Sequence, residues 1–165
     1  MSDAPTGTYE RPDTMLREDR ASTELLGMDV VEMSEGHAIV TMRVRDDMVN
    51  GHQIVHGGLV FTLADTAFAM ACNSEVTLVV SSGADITYFS PGHAGDLLTA
   101  TAAVRSQRGR SVICDVEVRN STGIIAEYRG HGRIVRPDHM KSEHPNEHPK
   151  SEHAKSERTT TEQAS

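Results

Sequence analysis

The sequence is poor in several residue types, and these shortages limit what the protein can be. It has no tryptophan, and only 4% of its residues are aromatic. Its two cysteines, Cys72 and Cys114, stand in apolar settings without CxxC spacing, which favours two buried thiols over a disulfide or a metal pair. Basic residues number 16 against 24 acidic ones, and the net charge of -8 argues against a nucleic-acid-binding protein.

The sequence also lacks a hydrophobic run long enough to cross a membrane. The main apolar stretch, residues 59–72, is shorter than the roughly 20 residues that a membrane-spanning helix needs. Residues 1–13 show no basic-plus-apolar signal pattern. We therefore expect a soluble, cytoplasmic protein that binds neither membrane nor nucleic acid.

The most informative stretch that is present runs from residue 50 to residue 74. Two adjacent glycines, Gly57 and Gly58, precede an apolar run of about a helix's length that has polar residues at only three positions. A helix that is apolar on every face is expected to be buried. Because a carboxylate in such a helix is costly unless it has partners or a task, Asp65 is the first candidate site residue.

Hydrophobic alternation predicts strands on both sides of this helix. Before it, residues 28–33 and 37–44 predict a hairpin. After it, strands are predicted at the following ranges: 78–89, with a bulge at Ser81-Ser82-Gly83, then 96–106, 110–119 and 124–135. One buried helix with about six antiparallel strands predicts an α+β fold.

Composition divides the chain into a lead (residues 1–12), a domain (residues 13–136) and a tail (residues 137–165). The lead is expected to be mobile. The domain is predicted to open with a helix that Asp13 caps, that Gly27 ends and that turns four residues towards the core: Met15, Leu16, Leu25 and Leu26. The tail is His-, Glu-, Lys- and Ser-rich, which predicts disorder and leaves metal binding by its histidines as an alternative.

A family resemblance is carried by residues around the helix and by turns downstream. The matching segments are Asn50-Gly51-His52-Gln53, His56-Gly57-Gly58, residues 64–69 (ADTAFA), residues 71–74 (ACNS), Ser81, residues 85–88 (DITY), Pro91-Gly92-x-x-Gly95-Asp96, Gly109 and Gly130-x-Gly132. On these segments the chain resembles the PaaI-type acyl-CoA thioesterases, the phenylacetate-pathway branch of the hotdog-fold superfamily. The resemblance covers roughly residues 13–136 and implies a single hotdog domain, in which an antiparallel sheet of about six strands wraps a long central helix.

The resemblance implies hydrolysis of an acyl thioester to free acid and coenzyme A, without a cofactor or a metal. Phenylacetyl-CoA or a hydroxylated relative is the first substrate that it suggests. The residues agree, because glycines at a helix start let a carbonyl approach N–H donors that the helix dipole reinforces. Gly57 and Gly58 occupy that place. Asp65, about two turns further on, could be a general base or a nucleophile, and the sequence leaves both open.

Three further catalytic candidates come from the resemblance, and each has a structural alternative. The amide of Asn50 would assist the substrate carbonyl, or it would cap or close the loop. His56 would position the leaving sulfur, or donate a hydrogen bond within the loop. Ser81 fits a position that orients water, although the neighbouring Ser82 leaves the register open.

The substrate-binding candidates lie at the helix start and at a hairpin turn. Besides Gly58, His52 and Gln53 would line the site or shape the loop. Arg108 and Arg110 flank the turn at Gly109, where basic groups of this superfamily often meet the nucleotide end of coenzyme A. The alternative for the two arginines is a solvated turn.

The resemblance also implies a homodimer or a homotetramer whose sites lie at the subunit interface, with Gly57 contributed by one chain and Asp65 by the other. Two other functions are considered. A non-catalytic acyl-CoA-binding hotdog regulator would not need Asp65, and a hotdog dehydratase or hydratase would need a catalytic histidine in a different motif. The few aromatic residues do not settle which acyl group is bound.

Overall fold

The computed structural model describes residues 19–73 and 78–135 of the chain. Within them, one long helix, α1 (Gly57–Cys72), accompanies a six-stranded antiparallel sheet. The strands are β1 (Met28–Ser34), β2 (His37–Arg43), β3 (Val79–Tyr88), β4 (Leu97–Arg108), β5 (Ser111–Asn120) and β6 (Gly123–Ile134). A π-helical turn (Ala21–Leu25) precedes β1, and a 3-10 turn (Asp46–Met48) follows β2. The predicted α+β architecture is confirmed.

The strands are ordered β1-β2-β4-β5-β6-β3 across the sheet. The pairs β1–β2, β4–β5 and β5–β6 are hairpins, whereas β3 follows α1 and pairs with β6 at the far edge. The predicted bulge in β3 is present as a register shift between Ser81 and Gly83. Since β3 has β6 on one side and no described strand on the other, one row of its backbone groups is left for another strand.

The core lies between α1 and one face of the sheet. Alternate residues of a strand point to the same face of the sheet. The alternate residues of β2, β4 and β5 that are buried form one cluster with α1. Phe68 of α1 lies against the β6 backbone, where a Cβ on Gly130 would come within 2.4 Å of the Phe68 ring. Gly130 therefore allows the helix and the sheet to approach closely.

One face of α1 is incompletely covered by its own sheet. Gly58 is exposed, and Phe61, Asp65 and Ala69 are half-buried. These residues recur at helical spacing and form a single stripe along α1. The expectation that the helix is buried on every face is therefore wrong for this stripe. No helix in residues 19–73 and 78–135 is long and apolar enough to span a membrane.

The two cysteines are buried free thiols, as the sequence predicted. Cys72 lies on α1 and Cys114 on β5, so the pair connects the helix to the sheet. The hydrogen bond between the Cys72 and Cys114 thiols, together with burial, holds the pKa of Cys72 far above its usual value. Among the residues that the structure describes, no group of three or more His, Cys, Asp or Glu side chains is arranged to hold a metal ion.

The predicted N-terminal helix is partly confirmed where the structure describes it, because a helical turn forms and Leu26 packs against the core. The prediction is wrong for Leu25, which is 66% exposed, and the turn is also attached by Ser22, which is buried. The Ser22 hydroxyl donates to the Asp19 carboxylate at 2.7 Å and lies 3.3 Å from the Thr66 hydroxyl of α1. A polar contact thus takes the place that was predicted for Leu25.

The remaining boundary predictions have mixed outcomes. Gly27 ends the π-helical turn with a φ of 64°, as its position predicted. The turn between β4 and β5 is shorter than predicted, because the two strands pair as far as Arg108 and Ser111. The cap at Asp13, the core positions Met15 and Leu16, the lead and the tail lie outside the described residues.

Candidate active site

The first part of the candidate site is the start of α1. His56 caps the helix in an extended conformation, and its Nδ1 accepts a hydrogen bond from the Gly58 N–H at 3.1 Å. The first N–H groups of a helix have no acceptor within the helix. The Gly57 N–H has no acceptor in the part of the chain that the structure describes. Of the two glycines, Gly57 therefore carries the donor that a ligand can use.

A tyrosine from the edge strand packs on this helix start. The Tyr88 hydroxyl donates to the Gly57 carbonyl at 2.9 Å, and a Cβ on Gly57 would lie 3.3 Å from the Tyr88 ring. Tyr88 itself remains 48% exposed. The glycine thus lets an exposed aromatic ring lie directly beside the Gly57 peptide.

The loop before α1 is closed by Asn50. The Asn50 Oδ1 accepts from the His52 N–H at 2.9 Å, and Val49 and Val55 form a bridge across the loop. The structural alternative predicted for Asn50 is thus observed for its oxygen. The carboxamide nitrogen has no acceptor among the described residues and can still donate to a ligand.

His52 and Gln53 lie in the turn of the same loop, and both are exposed. Gln53 has a φ of 60°, an uncommon conformation for a residue other than glycine. Its carbonyl lies 3.2 Å from Nδ1 of His93, which joins this loop to the segment before β4. The described contacts of His52 and Gln53 are made through their backbone atoms, and these contacts shape the loop.

Asp65 is half-buried on the open stripe of α1 and has a partner that the sequence interpretation missed. The Tyr128 hydroxyl of β6 donates to Asp65 Oδ1 at 2.6 Å. In the sequence, Tyr128 is only one of a few aromatic residues. The position of Tyr128 in β6 offers one signal that its hydroxyl has a partner. Tyr128 lies on the same strand face as the buried residues Ala126 and Gly130, and a buried tyrosine hydroxyl needs a hydrogen-bond partner.

Gly57 and Asp65 are well separated within one chain. Eight residues of α-helix rise by about 12 Å. Reacting groups must lie within about 3–3.5 Å of the atoms on which they act. One chain therefore does not bring the Gly57 N–H and the Asp65 carboxylate to the same carbonyl group.

The two serines and the two arginines lie away from these groups. Ser81 and Ser82 are exposed on β3, and the Ser82 hydroxyl donates to the His131 carbonyl at 3.0 Å. Arg108 and Arg110 are exposed at the β4–β5 turn, where Arg110 Nε donates to a β6 carbonyl at 3.1 Å. In residues 19–73 and 78–135, none of the four side chains hydrogen-bonds with another candidate.

A groove of about 650 Å³ lies over strands β3 to β6 and is separate from the helix start. Asp115 in its wall is bound by Arg129 at 2.7 and 2.9 Å and faces Arg105 at 3.4 Å. These arginines, led by Arg129, hold the pKa of Asp115 below its usual value. The groove residues include Tyr128 but not Gly57 or Asp65.

Comparisons with known proteins agree with this geometry. Residues 52–127 match the model of the thioesterase superfamily. The chain is 48% identical over 114 residues to the acyl-coenzyme A thioesterase PaaI of Escherichia coli strain K12, covering 68% of this chain and 81% of that protein. The chain belongs to the thioesterase superfamily, as its sequence motifs indicated.

Two solved structures extend the comparison. The E. coli PaaI protein from the phenylacetic acid degradation operon superposes with a TM-score of 0.72 at 44% identity, covering 76% of this chain and 91% of that chain. A Streptococcus mutans protein bound to acetyl-CoA superposes with a TM-score of 0.63 at 28% identity, covering 66% of this chain and 88% of that chain. The hotdog fold predicted for residues 13–136 is thereby confirmed for the described part of the chain.

Proposed function

We propose that this protein is an acyl-CoA thioesterase of phenylacetate catabolism, which hydrolyses phenylacetyl-CoA or a hydroxylated relative to the free acid and coenzyme A. The observation that carries the proposal is the Asp65 carboxylate on the open stripe of α1, with one oxygen bound to Tyr128. The names of the E. coli relatives and the acetyl-CoA bound to the S. mutans protein support the substrate class. The proposed catalytic domain spans residues 13–136, and the proposed location is the cytoplasm.

Two donors would polarise the thioester carbonyl. The Gly57 N–H, reinforced by the dipole of α1, would hold the oxygen on which negative charge develops. The carboxamide nitrogen of Asn50 would provide a second hydrogen bond, since the oxygen of that amide is already held by the loop. Fixed donors of this kind stabilise the tetrahedral intermediate more than the ground state, which lowers the barrier.

Asp65 would activate the attacking water. The water oxygen forms a bond to the carbonyl carbon while its proton moves to the Asp65 carboxylate. The tetrahedral oxyanion then reforms the carbonyl and expels the coenzyme A thiolate, which regains a proton from Asp65. Direct attack by the carboxylate, through an anhydride that water then hydrolyses, is the alternative route, and Ser81 would orient the water in either case.

His56 would act on the leaving group. Because its Nδ1 accepts from the Gly58 N–H, that nitrogen is unprotonated, and the neutral ring carries its proton on Nε2. Nε2 can therefore donate to the sulfur as negative charge develops there. Arg108 and Arg110 would bind phosphate oxygens of the nucleotide end, for which the planar guanidinium group is well suited.

The active site would be shared between two chains. The separation of about 12 Å between Gly57 and Asp65 along one helix is too large for a single reaction centre, so each would act with its counterpart from a partner chain. The free edge at β3 supports a dimer whose sheets join, since Val80 is 37% exposed there. A two-fold axis then gives two equivalent sites, and two such dimers could form a homotetramer.

The test of this function is thiol release over a panel of acyl-CoA esters by wild type and Asp65→Asn. The amide is nearly isosteric but cannot accept a proton at neutral pH, so we expect kcat to fall by about 10²–10⁴-fold. Asp29→Asn is the matched control, because Asp29 is exposed on β1 at the opposite edge of the sheet.

Two results would contradict the proposal. A folded Asp65→Asn variant with the wild-type rate would remove Asp65 from the mechanism. Tight binding of phenylacetyl-CoA with no turnover by wild type would support the regulator alternative. Incorporation of ¹⁸O from labelled water into the Asp65 carboxylate during a single turnover would assign the nucleophilic route.

A further inference from the structure

Tyr128 is held in one orientation in the middle of β6. Its side chain is only 2% exposed. The Phe61 ring meets it edge-on at 5.4 Å with an interplanar angle of 74°, and the Phe68 ring lies at 6.3 Å. Contacts with two aromatic rings of α1 fix the plane of the phenol. Its hydroxyl is thus directed to one point, 2.6 Å from Asp65 Oδ1.

The hydrogen bond has a defined direction. Burial, and then the hydrogen bond and charge of Asp65, raise the pKa of Tyr128 far above its usual value. The phenol is therefore a neutral donor at every pH at which the enzyme would work. The other titratable groups that act on it are the thiols of Cys114 on β5 and Cys72 on α1. For residues 19–73 and 78–135, no cationic side chain forms an ion pair with Asp65.

We propose that Tyr128 is a positioning residue for Asp65. By occupying Oδ1 it fixes the plane of the carboxylate and leaves Oδ2 as the oxygen that meets water or substrate. The inference rests on the proposed function of Asp65 and adds the group that orients it.

The direct test is the effect of Tyr128→Phe on kcat and on KM. The change removes one hydroxyl and keeps the ring that packs on Phe61. Because the carboxylate is less well oriented without the donor, kcat should fall by about 3–10-fold, with KM changed by less than about 2-fold.

Tyr88→Phe is the matched control. It also removes one tyrosine hydroxyl near the site, but that hydroxyl donates to the Gly57 carbonyl and not to Asp65. Combined with Asp65→Asn, Tyr128→Phe should cause no further loss of kcat, whereas Tyr88→Phe should change kcat by the same factor in both backgrounds. A Tyr128→Phe variant with the wild-type kcat, or with an equal loss in both backgrounds, would overturn the proposal and leave Tyr128 a packing residue.

A second variant keeps the test valid if Tyr128→Phe folds poorly. Placing 3-fluorotyrosine at position 128 keeps both the ring and the hydroxyl that binds Oδ1, so kcat should stay within about 2-fold of wild type. A loss there as large as that of Tyr128→Phe would again reject the proposal. The Asp65→Asn variant separates the two hypotheses. If it retains wild-type turnover, the function of Asp65 fails, whereas an inactive Asp65→Asn together with a wild-type kcat in Tyr128→Phe rejects only the positioning.

Discussion

A shared active site can be tested by combining two inactive chains. One carries Asp65→Asn and the other Gly57→Pro, which removes the N–H proposed to hold the oxyanion. The helix should tolerate this proline, because Gly57 is its first residue, where proline is favoured. His56 before it already has φ −63° and ψ 127°, a conformation that residues preceding proline prefer.

The expected activity follows from the symmetry of the dimer. In a mixed dimer, one site contains both substitutions. The other site combines the intact Asp65 of one chain with the intact Gly57 of its partner. Purified mixed dimers should therefore show about half of the wild-type rate per dimer. A random one-to-one co-expression yields mixed dimers in about half of the population, so the unfractionated sample should reach about a quarter of the wild-type rate.

The experiment needs separable chains and a control for crowding. With a different affinity tag on each chain, two successive purifications isolate mixed dimers, whose thiol release is compared with that of each parent. Gly57→Ala is the matched variant, since it adds the same Cβ at 3.3 Å from Tyr88 but keeps the N–H. It should retain more activity than Gly57→Pro. Mixed dimers that assemble correctly but are as inactive as both parents would refute the shared site.

Two further predictions concern stability and use thermal melting as the measurement. Gly130→Ala should lower the free energy of unfolding by about 1–3 kcal/mol, because its Cβ would come within 2.4 Å of the Phe68 ring. Gly51→Ala is the control and should change the stability little, because there is open space around its Cβ. Equal melting temperatures for the two variants would contradict the close approach of helix and sheet at Gly130. Hydrogen bonds from the His93 N–H and the Asn120 amide lower the pKa of Asp96 from its usual value of 3.8. The ionised Asp96 therefore stabilises the fold above pH 3.8, and this stabilisation is lost as the pH falls through the pKa of the folded state. Asp96→Asn should therefore melt below wild type at pH 6, with the gap narrowing below pH 3.8; a gap independent of pH would contradict this linkage.

Local pattern predicted the elements of this fold but not all of their neighbours. Alternation in β2 and β5 follows directly from one buried face, so these strands could be predicted within a residue or two. The pairing of β3 with β6 could not be predicted from the sequence, because it depends on contacts between residues that are distant in the chain. The error at Leu25 has the same cause, since the turn is attached by a polar contact between Ser22 and Thr66, which are 44 residues apart.

The candidate site divides in the same way. Gly57 and Asp65 stand out because their residue types are unusual at the start and in the middle of an apolar helix, and the family motif includes both. The two interpretations of Asn50 are compatible, since its oxygen closes the loop and its nitrogen has no acceptor among the described residues. Tyr128 could not be paired with Asp65 from sequence, because 63 residues separate them and only the folded sheet brings them together.

The open stripe of α1 connects assembly to chemistry. A helix in a closed monomeric core would be expected to bury its apolar residues, yet Phe61 and Ala69 remain half-exposed on either side of Asp65. In the proposed dimer, the same stripe would have to receive both the partner chain and the acyl group of the substrate. Phe61 also packs on Tyr128, so a residue that would contact the acyl group would also help to orient the phenol that holds Asp65. Acyl-group preference, dimer stability and the orientation of the carboxylate would therefore depend on one helix face rather than on separate parts of the fold.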